Sequence, residues 1–452
     1  VDHAVCVSHG QRAFVSRVIV ENLELLLART DARLESVKRH IEGLPDGRGG
    51  EWKALLWHVH AEFAADAADI VGDVASADQL AEPARAQLRA NAGQRLERLQ
   101  ILLDALHAKM ATYRDAVARS DVPVGLQHLV DVLIDQVVID SGDPIIHLDT
   151  RNMYSTIDLV GPMDELVAAL GPQGRQYSGR HPIAFNLPAL DPNNVLLSPV
   201  LAHEVAHTAV TRELLKKLQD RIQSGPAGKQ IDDAFARLGF GGDQRQTAAL
   251  AQAFQSWSAE LLCDAIAIAL TGPSFLFAFA AFVPPTAVSG ASKSHPDIQD
   301  RLGFALDVID SYGWTPFIEE RAPKLVAWFR EVSTQPVLTG GAEETFLREA
   351  ISASSAERRQ IASDHVVGPL DSKEGDRIDQ AAAWLAQGVP LVDVDGSVLS
   401  PWQVVLAAWI AGISVRGDES PTVALAAGDR DYNAVIVKAI EYSQIVSEWR
   451  SK

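Results

Sequence analysis

The chain has few cysteines and more acidic than basic side chains. Only two cysteines, Cys6 and Cys263, occur among 452 residues, which excludes the disulfide framework that holds small secreted domains together. Acidic side chains outnumber basic ones by 59 to 40, so the formal net charge is −19. Because such a charge repels phosphate backbones, we expect no nucleic acid partner.

The start of the sequence carries no recognisable export signal. Residues 1–12 lack a basic stretch followed by an apolar run and a small-residue cleavage site. Two distant cysteines are also typical of a reducing compartment. We therefore expect a protein of the bacterial cytoplasm.

One apolar run approaches the length of a membrane span. Residues 265–283 are almost wholly apolar over about 19 residues, near the minimum for crossing a bilayer. The stretch Thr271-Gly272-Pro273-Ser274 in its middle is typical of one helix ending and another beginning. The sequence therefore predicts two short core helices here, and no association with a membrane.

Length and composition are those of a folded protein with several domains. Hydrophobic residues make up 47% of the chain and charged residues 22%, a balance found in globular proteins. At about 150 residues per domain, the length predicts about three units. Changes in pattern predict a helical bundle over residues 1–120, a core region with strands and helices over 121–335 and a C-terminal helical region over 336–452.

The predicted fold class is mainly α with a small β-sheet, an α+β arrangement. Apolar residues recur at three-to-four spacing through residues 13–41, 51–74 and 83–119, which predicts three helices. Short loops join them, as in an antiparallel bundle.

Strands and loops are predicted mostly in the middle of the chain. Residues 144–148 and 181–187 have the pattern of β-strands, and helical periodicity returns over 196–215. The polar, glycine-containing stretch 223–246 is predicted to be an insertion or a flexible loop. A small hairpin is expected around 391–399, where turn-forming residues occur.

The sequence His203-Glu204-Val205-Ala206-His207 fits the metal-binding pattern H-E-x-x-H. It lies inside a predicted apolar helix, where residues four apart share one face. Both imidazoles can therefore bind one metal ion, and Glu204 can reach a water molecule beside it. The motif predicts a zinc site.

Two histidines leave a catalytic zinc site incomplete, since such sites usually take three protein ligands. The extension H-E-x-x-H-x-x-G-x-x-H is absent, because Val210 and Glu213 occupy the glycine and histidine positions. The third ligand must therefore come from elsewhere in the chain.

Glu260 and Asp264 lie four residues apart at the edge of another apolar helix. Ionised carboxylates are rarely buried without a partner. The economical interpretation is that Glu260 is the third zinc ligand and that Asp264 accepts a hydrogen bond from the second ring nitrogen of a ligand histidine, His203. The alternative is a pair of acids on a solvated helix edge. Cys263 could also bind metal, but its neighbours fit a buried small hydrophobic residue better.

Taken together, these motifs resemble the gluzincin metallopeptidases. The chain is most similar to the group that contains the CAAX prenyl endopeptidases and the membrane heat-shock endopeptidases. The matching residues are His203-Glu204-x-x-His207, Glu260-x-x-x-Asp264, Gly272-Pro273, Ser294-His295-Pro296 and the following Arg301. That group usually has Asn before its Glu and Ala before its Asp, where this chain has Ala259 and Cys263. Because clear spanning helices are also missing, we expect a soluble relative with the same catalytic core.

The resemblance implies a zincin-like catalytic core flanked by helical regions. It also implies that His203, His207 and Glu260 bind zinc and that Glu204 is the general base. Asp264 would then accept a hydrogen bond from a ligand histidine, and His295 and Arg301 would lie near the active-site cleft. In the metal-assisted peptide hydrolysis that the resemblance implies, Glu204 takes a proton from the attacking water and later passes it to the leaving amine.

The carbonyl oxygen of the substrate would need a hydrogen-bond donor as it gains negative charge. His295 is the first candidate, Arg301 the second and Tyr177 the third. Each has a structural alternative: His295 could cap the helix that follows, and Arg301 could pair with Asp264 or Asp297.

The function predicted from these residues is that of a zinc-dependent endopeptidase acting on protein or peptide substrates. The strand at 181–187 could receive an extended peptide at a sheet edge, or it could lie inside the sheet. Two other functions remain open, a non-peptidase amide hydrolase and a helical interaction or regulatory protein with a structural or latent zinc site. His58 and His60 are only two residues apart, so their rings should diverge on a helix and occupy ordinary packing or surface positions.

Overall fold

The computed structural model describes residues 9–44, 50–118, 122–137, 145–149, 154–171, 174–180, 182–188, 194–240, 244–282, 295–334, 341–390, 393–417 and 430–451. Most of these residues are helical, which confirms the predicted mainly α fold.

The helices are α1 (His9–Glu42), α2 (Gly50–Ala77), α3 (Glu82–Ala118), α4 (Val124–Gln136), α5 (Val160–Ala168), α6 (Ser198–Ala209), α7 (Arg212–Ser224), α8 (Pro226–Arg237), α9 (Gln244–Thr271), α10 (Ser274–Phe282), α11 (Ile298–Ser311), α12 (Thr315–Arg321), α13 (Pro323–Thr334), α14 (Ala342–Ala353), α15 (Ser355–His365), α16 (Gly375–Leu385), α17 (Pro401–Arg416) and α18 (Arg430–Arg450). Short 3₁₀ turns occupy Val195–Leu197 and Ser372–Glu374. The strands are β1 (Ile145–Asp149), β2 (Ser155–Asp158), β3 (Ile183–Pro188), β4 (Asp393–Val394) and β5 (Ser397–Val398).

Among the described residues, the larger sheet has the strand order β1-β3-β2. The strands predicted at 144–148 and 181–187 correspond to β1 and β3. Because β3 has a neighbour on each side, the possibility that 181–187 forms a sheet edge is wrong, and the alternative of an internal strand is confirmed. The sequence analysis missed β2, which has only four residues.

The chain divides into two compact units. The first unit comprises Val1–Ser120, Asp140–His147 and Ile157–Phe185, and the second comprises Asp121–Ile139, Leu148–Thr156 and Asn186–Lys452. In the first unit α1, α2 and α3 pack against one another, as the predicted bundle requires. Their core includes the fully buried side chains Trp52, Phe63 and Leu106.

Helix α9 lies at the centre of the second unit. Its residues from Leu261 to Thr271 are buried, and α6, α10, α11, α14 and α15 all pack against it. Because residues buried on every side are mostly apolar, the part of α9 that follows Asp264 has the apolar sequence that resembled a membrane span.

The predicted break in that apolar run is confirmed. Helix α9 ends at Thr271 and α10 begins at Ser274, with Gly272 in a left-handed conformation at φ +59°. A side chain at this glycine would also approach Leu370 to 2.9 Å. Among the described residues, α9 is the one helix with the length and apolarity to cross a membrane, but 78% of its most apolar stretch is buried inside the protein. Such burial is typical of the core helix of a soluble protein.

Of the two interpretations of residues 223–246, the flexible loop is wrong for most of the described part of this stretch. Helix α7 continues to Ser224, and α8 begins at once with Pro226 in its first turn. Proline is favoured in the first turn of a helix because its fixed φ suits that position and its missing N–H would be unpaired there. Helix α8 buries only Ala227 and Ala234 on one face, and Gly228 with the charged residues that follow it resembled a loop.

The hairpin predicted near the C-terminus is confirmed. Strands β4 and β5 pair antiparallel, with Asp393 opposite Val398 and Val394 opposite Ser397. Asp395 and Gly396 in the turn have φ values of 53° and 78°, which a two-residue hairpin turn with a matching twist requires.

Candidate metal centre

Two imidazole nitrogens and a carboxylate converge in the second unit. The Nε2 atoms of His203 and His207 are 3.1 Å apart. Glu260 places Oε2 3.5 Å from Nε2 of His203 and Oε1 3.6 Å from Nε2 of His207. Among the described residues, this is the group of three whose ligand atoms all lie within 4.8 Å of one another, and it could hold a metal ion.

Helix packing explains why these side chains meet. His203 and His207 are one turn apart on α6, and α6 packs directly on α9, which carries Glu260. The fully buried residues Ala202 and Ala206 lie on α6 beside the histidines, and such small side chains allow helices to approach closely. The ligand group therefore follows from the periodicity of two apolar helices.

Asp264 fixes the orientation of His203. Its Oδ1 lies 2.8 Å from Nδ1 of His203, and its side chain is only 1% exposed. Nδ1–H therefore donates to the carboxylate, which leaves the Nε2 lone pair for a metal ion.

Arg301 holds Asp264 with two hydrogen bonds. Its Nε donates to Oδ2 at 2.9 Å and its Nη2 to Oδ1 at 2.6 Å, the bidentate geometry that fits a guanidinium to a carboxylate. Arg301 lies in the first turn of α11, which also packs on α9. The buried charge of Asp264 is thus paired, as a carboxylate in this environment requires.

The charges of this group shift two pKa values in opposite directions. Burial by itself raises the pKa of Asp264, but the charges of Arg301 and His203 and their hydrogen bonds lower it to about 2. Burial by itself lowers the pKa of His203, but the charge and hydrogen bond of Asp264 raise it to about 9. In the absence of a metal ion, His203 is therefore protonated at neutral pH.

The other two ligand side chains are held ready to bind. Burial, followed by the positive charge of His203, lowers the pKa of His207 to about 4, so this ring is neutral at pH 7. Burial favours a raised pKa for Glu260, yet its hydrogen bond to His203 and the surrounding positive charges lower it. Both groups therefore have the protonation state of a metal ligand.

Aromatic side chains of α10 pack against His203 and Arg301. The ring of His203 stacks on Phe275 with centroids 6.3 Å apart, and Phe275 stacks on Phe279 at 5.6 Å. The guanidinium carbon of Arg301 lies 4.4 Å from the centroid of Phe279, a cation–π contact. Sequence analysis did not single out Phe275 or Phe279, since apolar aromatic residues in an apolar helix are expected in any core.

Glu204 follows His203 directly on α6 and is half-buried. Burial raises the pKa of its carboxyl, and the negative charge of Glu260 adds to this effect. The carbonyl oxygen of Glu204 accepts a hydrogen bond from Oγ1 of Thr156 in β2. The nearness of this strand to the histidine helix was not predicted.

The three predicted hydrogen-bond donors lie in different environments. His295 is 58% exposed and places Nε2 3.5 Å from Oε1 of Glu260, while Ser294 before it lies outside the described residues. Arg301 is only 14% exposed and is engaged with Asp264. Tyr177 belongs to the first unit, where its ring packs on His58.

Cys263 contacts the second histidine. Its Sγ lies 3.4 Å from Nδ1 of His207, and the residue is fully buried. The predicted burial is confirmed, but the contact was missed. Its position three residues after Glu260, one turn along the same helix face, was the available signal.

No family model, curated protein or solved structure was found to match this chain. The similarity to gluzincin metallopeptidases therefore depends on the motif residues and remains a prediction.

Proposed function

We propose that the protein is a zinc-dependent endopeptidase of the gluzincin type, which hydrolyses peptide bonds in protein or peptide substrates. One observation carries the proposal. His203, His207 and Glu260 converge on one point through two nitrogens and a carboxylate oxygen, and Glu204 directly follows the first of these ligands in the sequence.

The donor set suits zinc. Two imidazoles and one carboxylate are a ligand combination of catalytic zinc sites, which keep a further position open for water or substrate. When bound, the ion would polarise the scissile carbonyl and lower the pKa of water towards about 7. The hydrogen bond from His203 to Asp264 keeps the ring in the tautomer that such binding needs.

Glu204 acts as the proton carrier in this mechanism. Its pKa is raised by burial, which brings a carboxylate closer to the range in which it accepts and releases a proton near neutral pH. It takes a proton from the attacking water and delivers it to the amine that leaves.

His295 is the donor that we assign to the substrate carbonyl oxygen. It is exposed and lies beside Glu260, so a bound substrate could reach it. A donor of this kind contributes about 10²–10³-fold to the rate. Arg301, in contrast, acts through Asp264 by holding the partner of His203.

The edge strand β2 is the segment that we assign to substrate binding. Its Thr156 contacts the helix that carries Glu204, and the strand order leaves β2 at an edge among the described residues. An extended peptide could pair with such an edge through main-chain hydrogen bonds.

The test compares the wild-type protein with Glu204→Gln on an unfolded protein substrate such as casein. We expect the wild type to cleave and the variant to lose about 10²–10⁴-fold in rate, because the amide cannot accept the proton. Zinc content should be the same in both proteins, because Glu204 is not a ligand. Undiminished cleavage by Glu204→Gln would contradict the mechanism.

Removal of zinc by a chelator separates a catalytic site from a structural one. A catalytic site should lose activity with little change in helical circular dichroism. Unfolding of the metal-free protein, together with no cleavage by the metal-bound protein, would instead indicate a structural site.

A further inference from the structure

We propose that Cys263 is a positioning residue for the metal ligand His207, whose Nδ1–H donates a hydrogen bond to the cysteine sulfur. This inference depends on the metal site of the proposed function. It does not depend on the reaction that the site catalyses.

Helix α9 presents three polar side chains to the two histidines of α6. Glu260 supplies the carboxylate ligand, Asp264 lies 2.8 Å from Nδ1 of His203, and Cys263 lies 3.4 Å from Nδ1 of His207. The spacing of three and four residues puts all three on one face of the helix. Each histidine therefore has its own partner on α9.

The tautomer of His207 gives the contact its consequence. A neutral imidazole that binds a metal ion through Nε2 carries its proton on Nδ1. Nδ1 faces the fully buried Cys263, and an N–H on that side needs an acceptor because an unpaired buried donor is destabilising. The sulfur of Cys263 is the partner that the structure provides, at a normal hydrogen-bond distance for sulfur.

The two ligands are supported unequally. The partner of His203 is an ionised carboxylate that Arg301 holds by two bonds, and this ring is only 6% exposed. The partner of His207 is a sulfur atom, which is a weak acceptor, and this ring is 36% exposed. His207 is therefore the ligand whose position is easier to disturb, and Cys263 is the residue that limits the disturbance.

Titration with Co²⁺, whose visible absorption reports ligand geometry, tests the proposal in wild type, Cys263→Ala and Cys263→Ser. We expect Cys263→Ala to lower the affinity about tenfold, the low end of the range for loss of such a partner, because sulfur is the weaker kind of acceptor. Its cobalt absorption bands should also shift. Cys263→Ser keeps an acceptor, so its affinity should stay within about threefold of wild type and its spectrum should be restored.

Ile268→Val provides the matched control. Ile268 is buried on the same helix, more than one turn beyond Cys263, and this change removes one methyl group without touching a histidine contact. It should leave both the Co²⁺ affinity and the spectrum unchanged. Equal losses in Ile268→Val and Cys263→Ala would reduce the role of Cys263 to general packing and overturn the proposal.

A measurement on the wild type avoids any dependence on folding of the variants. In the Zn²⁺-loaded protein, nitrogen NMR of labelled histidines should show His207 with a proton on Nδ1 and the metal on Nε2. The reverse tautomer, or an unchanged Co²⁺ affinity and spectrum in Cys263→Ala, would overturn the role of Cys263. Failure of the wild type to bind Co²⁺ would overturn the metal site and this inference with it, whereas metal binding without peptide cleavage would overturn only the peptidase function.

Discussion

Helices α2 and α6 each carry a pair of histidines, and the pairs are used differently. On α2, His58 and His60 are two residues apart, and their Nε2 atoms contact separate backbone carbonyls, of Arg175 at 2.8 Å and of Leu34 at 3.2 Å. On α6, His203 and His207 are four residues apart, and their Nε2 atoms lie 3.1 Å from each other. Spacing decides whether two rings on a helix can share a ligand.

The two histidine pairs also differ in how the nearby carboxylates are used. Acidic residues lie near both pairs. On α2 the buried Glu62 accepts a hydrogen bond from the side chain of Arg175, and the buried Asp66 pairs with Arg95. On α9, Arg301 pairs with Asp264, and Glu260 still faces both histidines of α6. Arg301 also lies beside Glu260, with its Nη1 3.8 Å from Oε2. A metal site thus needs convergent imidazoles together with a carboxylate that faces both of them.

Among the changes that test this comparison, Asp264→Asn is expected to have the largest effect on zinc affinity. The amide cannot hold the ionic partner Arg301 or fix the tautomer of His203 as the carboxylate does. Zinc affinity should therefore fall about 10–100-fold, as measured by competition with a chromophoric chelator. Glu62→Gln on α2 is the matched control, and it should leave the affinity unchanged. An unaltered affinity in Asp264→Asn would contradict the role of this carboxylate.

An effect of about tenfold for each pH unit is expected from a change of pH. The metal-free protein has His203 with a pKa of about 9, so a metal ion must displace a proton at neutral pH. Zinc affinity should rise about tenfold per pH unit between pH 7 and 9, since one proton is released in that window. Calorimetry in buffers of different ionisation enthalpy would count that proton. Binding without proton release would contradict this assignment.

The shifted pKa values of His203 and His60 make the stability of the metal-free protein depend on pH in opposite directions. The raised pKa of His203 stabilises the folded state fully below about pH 6.5, the ordinary histidine value, and this contribution is lost as the pH rises towards 9. His60 on α2 behaves oppositely, because burial lowers its pKa, so acidification below pH 6.5 destabilises the fold. Thermal unfolding of His203→Ala and His60→Ala across this range would separate the two contributions.

The smallest effect is expected from the histidines of α2. His58→Ala and His60→Ala each remove one hydrogen bond to a backbone carbonyl, which costs about 1 kcal/mol of folding free energy. Metal affinity should not change, and chemical denaturation would measure the loss of stability. A fall in zinc content in either variant would mean that α2 contributes to the metal site.

The long helices could be predicted from the sequence, because apolar residues at three-to-four spacing mark any helix that packs on one face. This applies to α1, α2 and α3, and the break after Thr271 was visible because glycine and proline stop and start helices. Helix α8 was missed although Ala227, Ile231 and Ala234 have that spacing, because its glycine and its charged side chains were given more weight. Strand β2 was missed because four residues carry too little alternation.

The residues of the candidate site could be predicted where a residue type is rare in its surroundings. Two acids in an apolar helix require a partner, which pointed to Glu260 and Asp264 before any geometry was known. The sequence favoured a buried small hydrophobic role for Cys263 over metal binding and gave no sign of its contact with His207, because cysteine fits both a core and a polar contact. The contact of Thr156 with Glu204 could not be predicted from the sequence, since it depends on how a strand and a helix pack together.

The most direct test of the metal site is X-ray absorption at the zinc edge, combined with metal analysis, on wild type and Glu260→Ala. We expect one zinc ion per wild-type chain, bound by two imidazole nitrogens and at least one carboxylate oxygen, and a large loss of zinc from Glu260→Ala after dialysis. A wild-type protein without stoichiometric zinc, or a Glu260→Ala protein that keeps the same zinc in the same environment, would contradict the account.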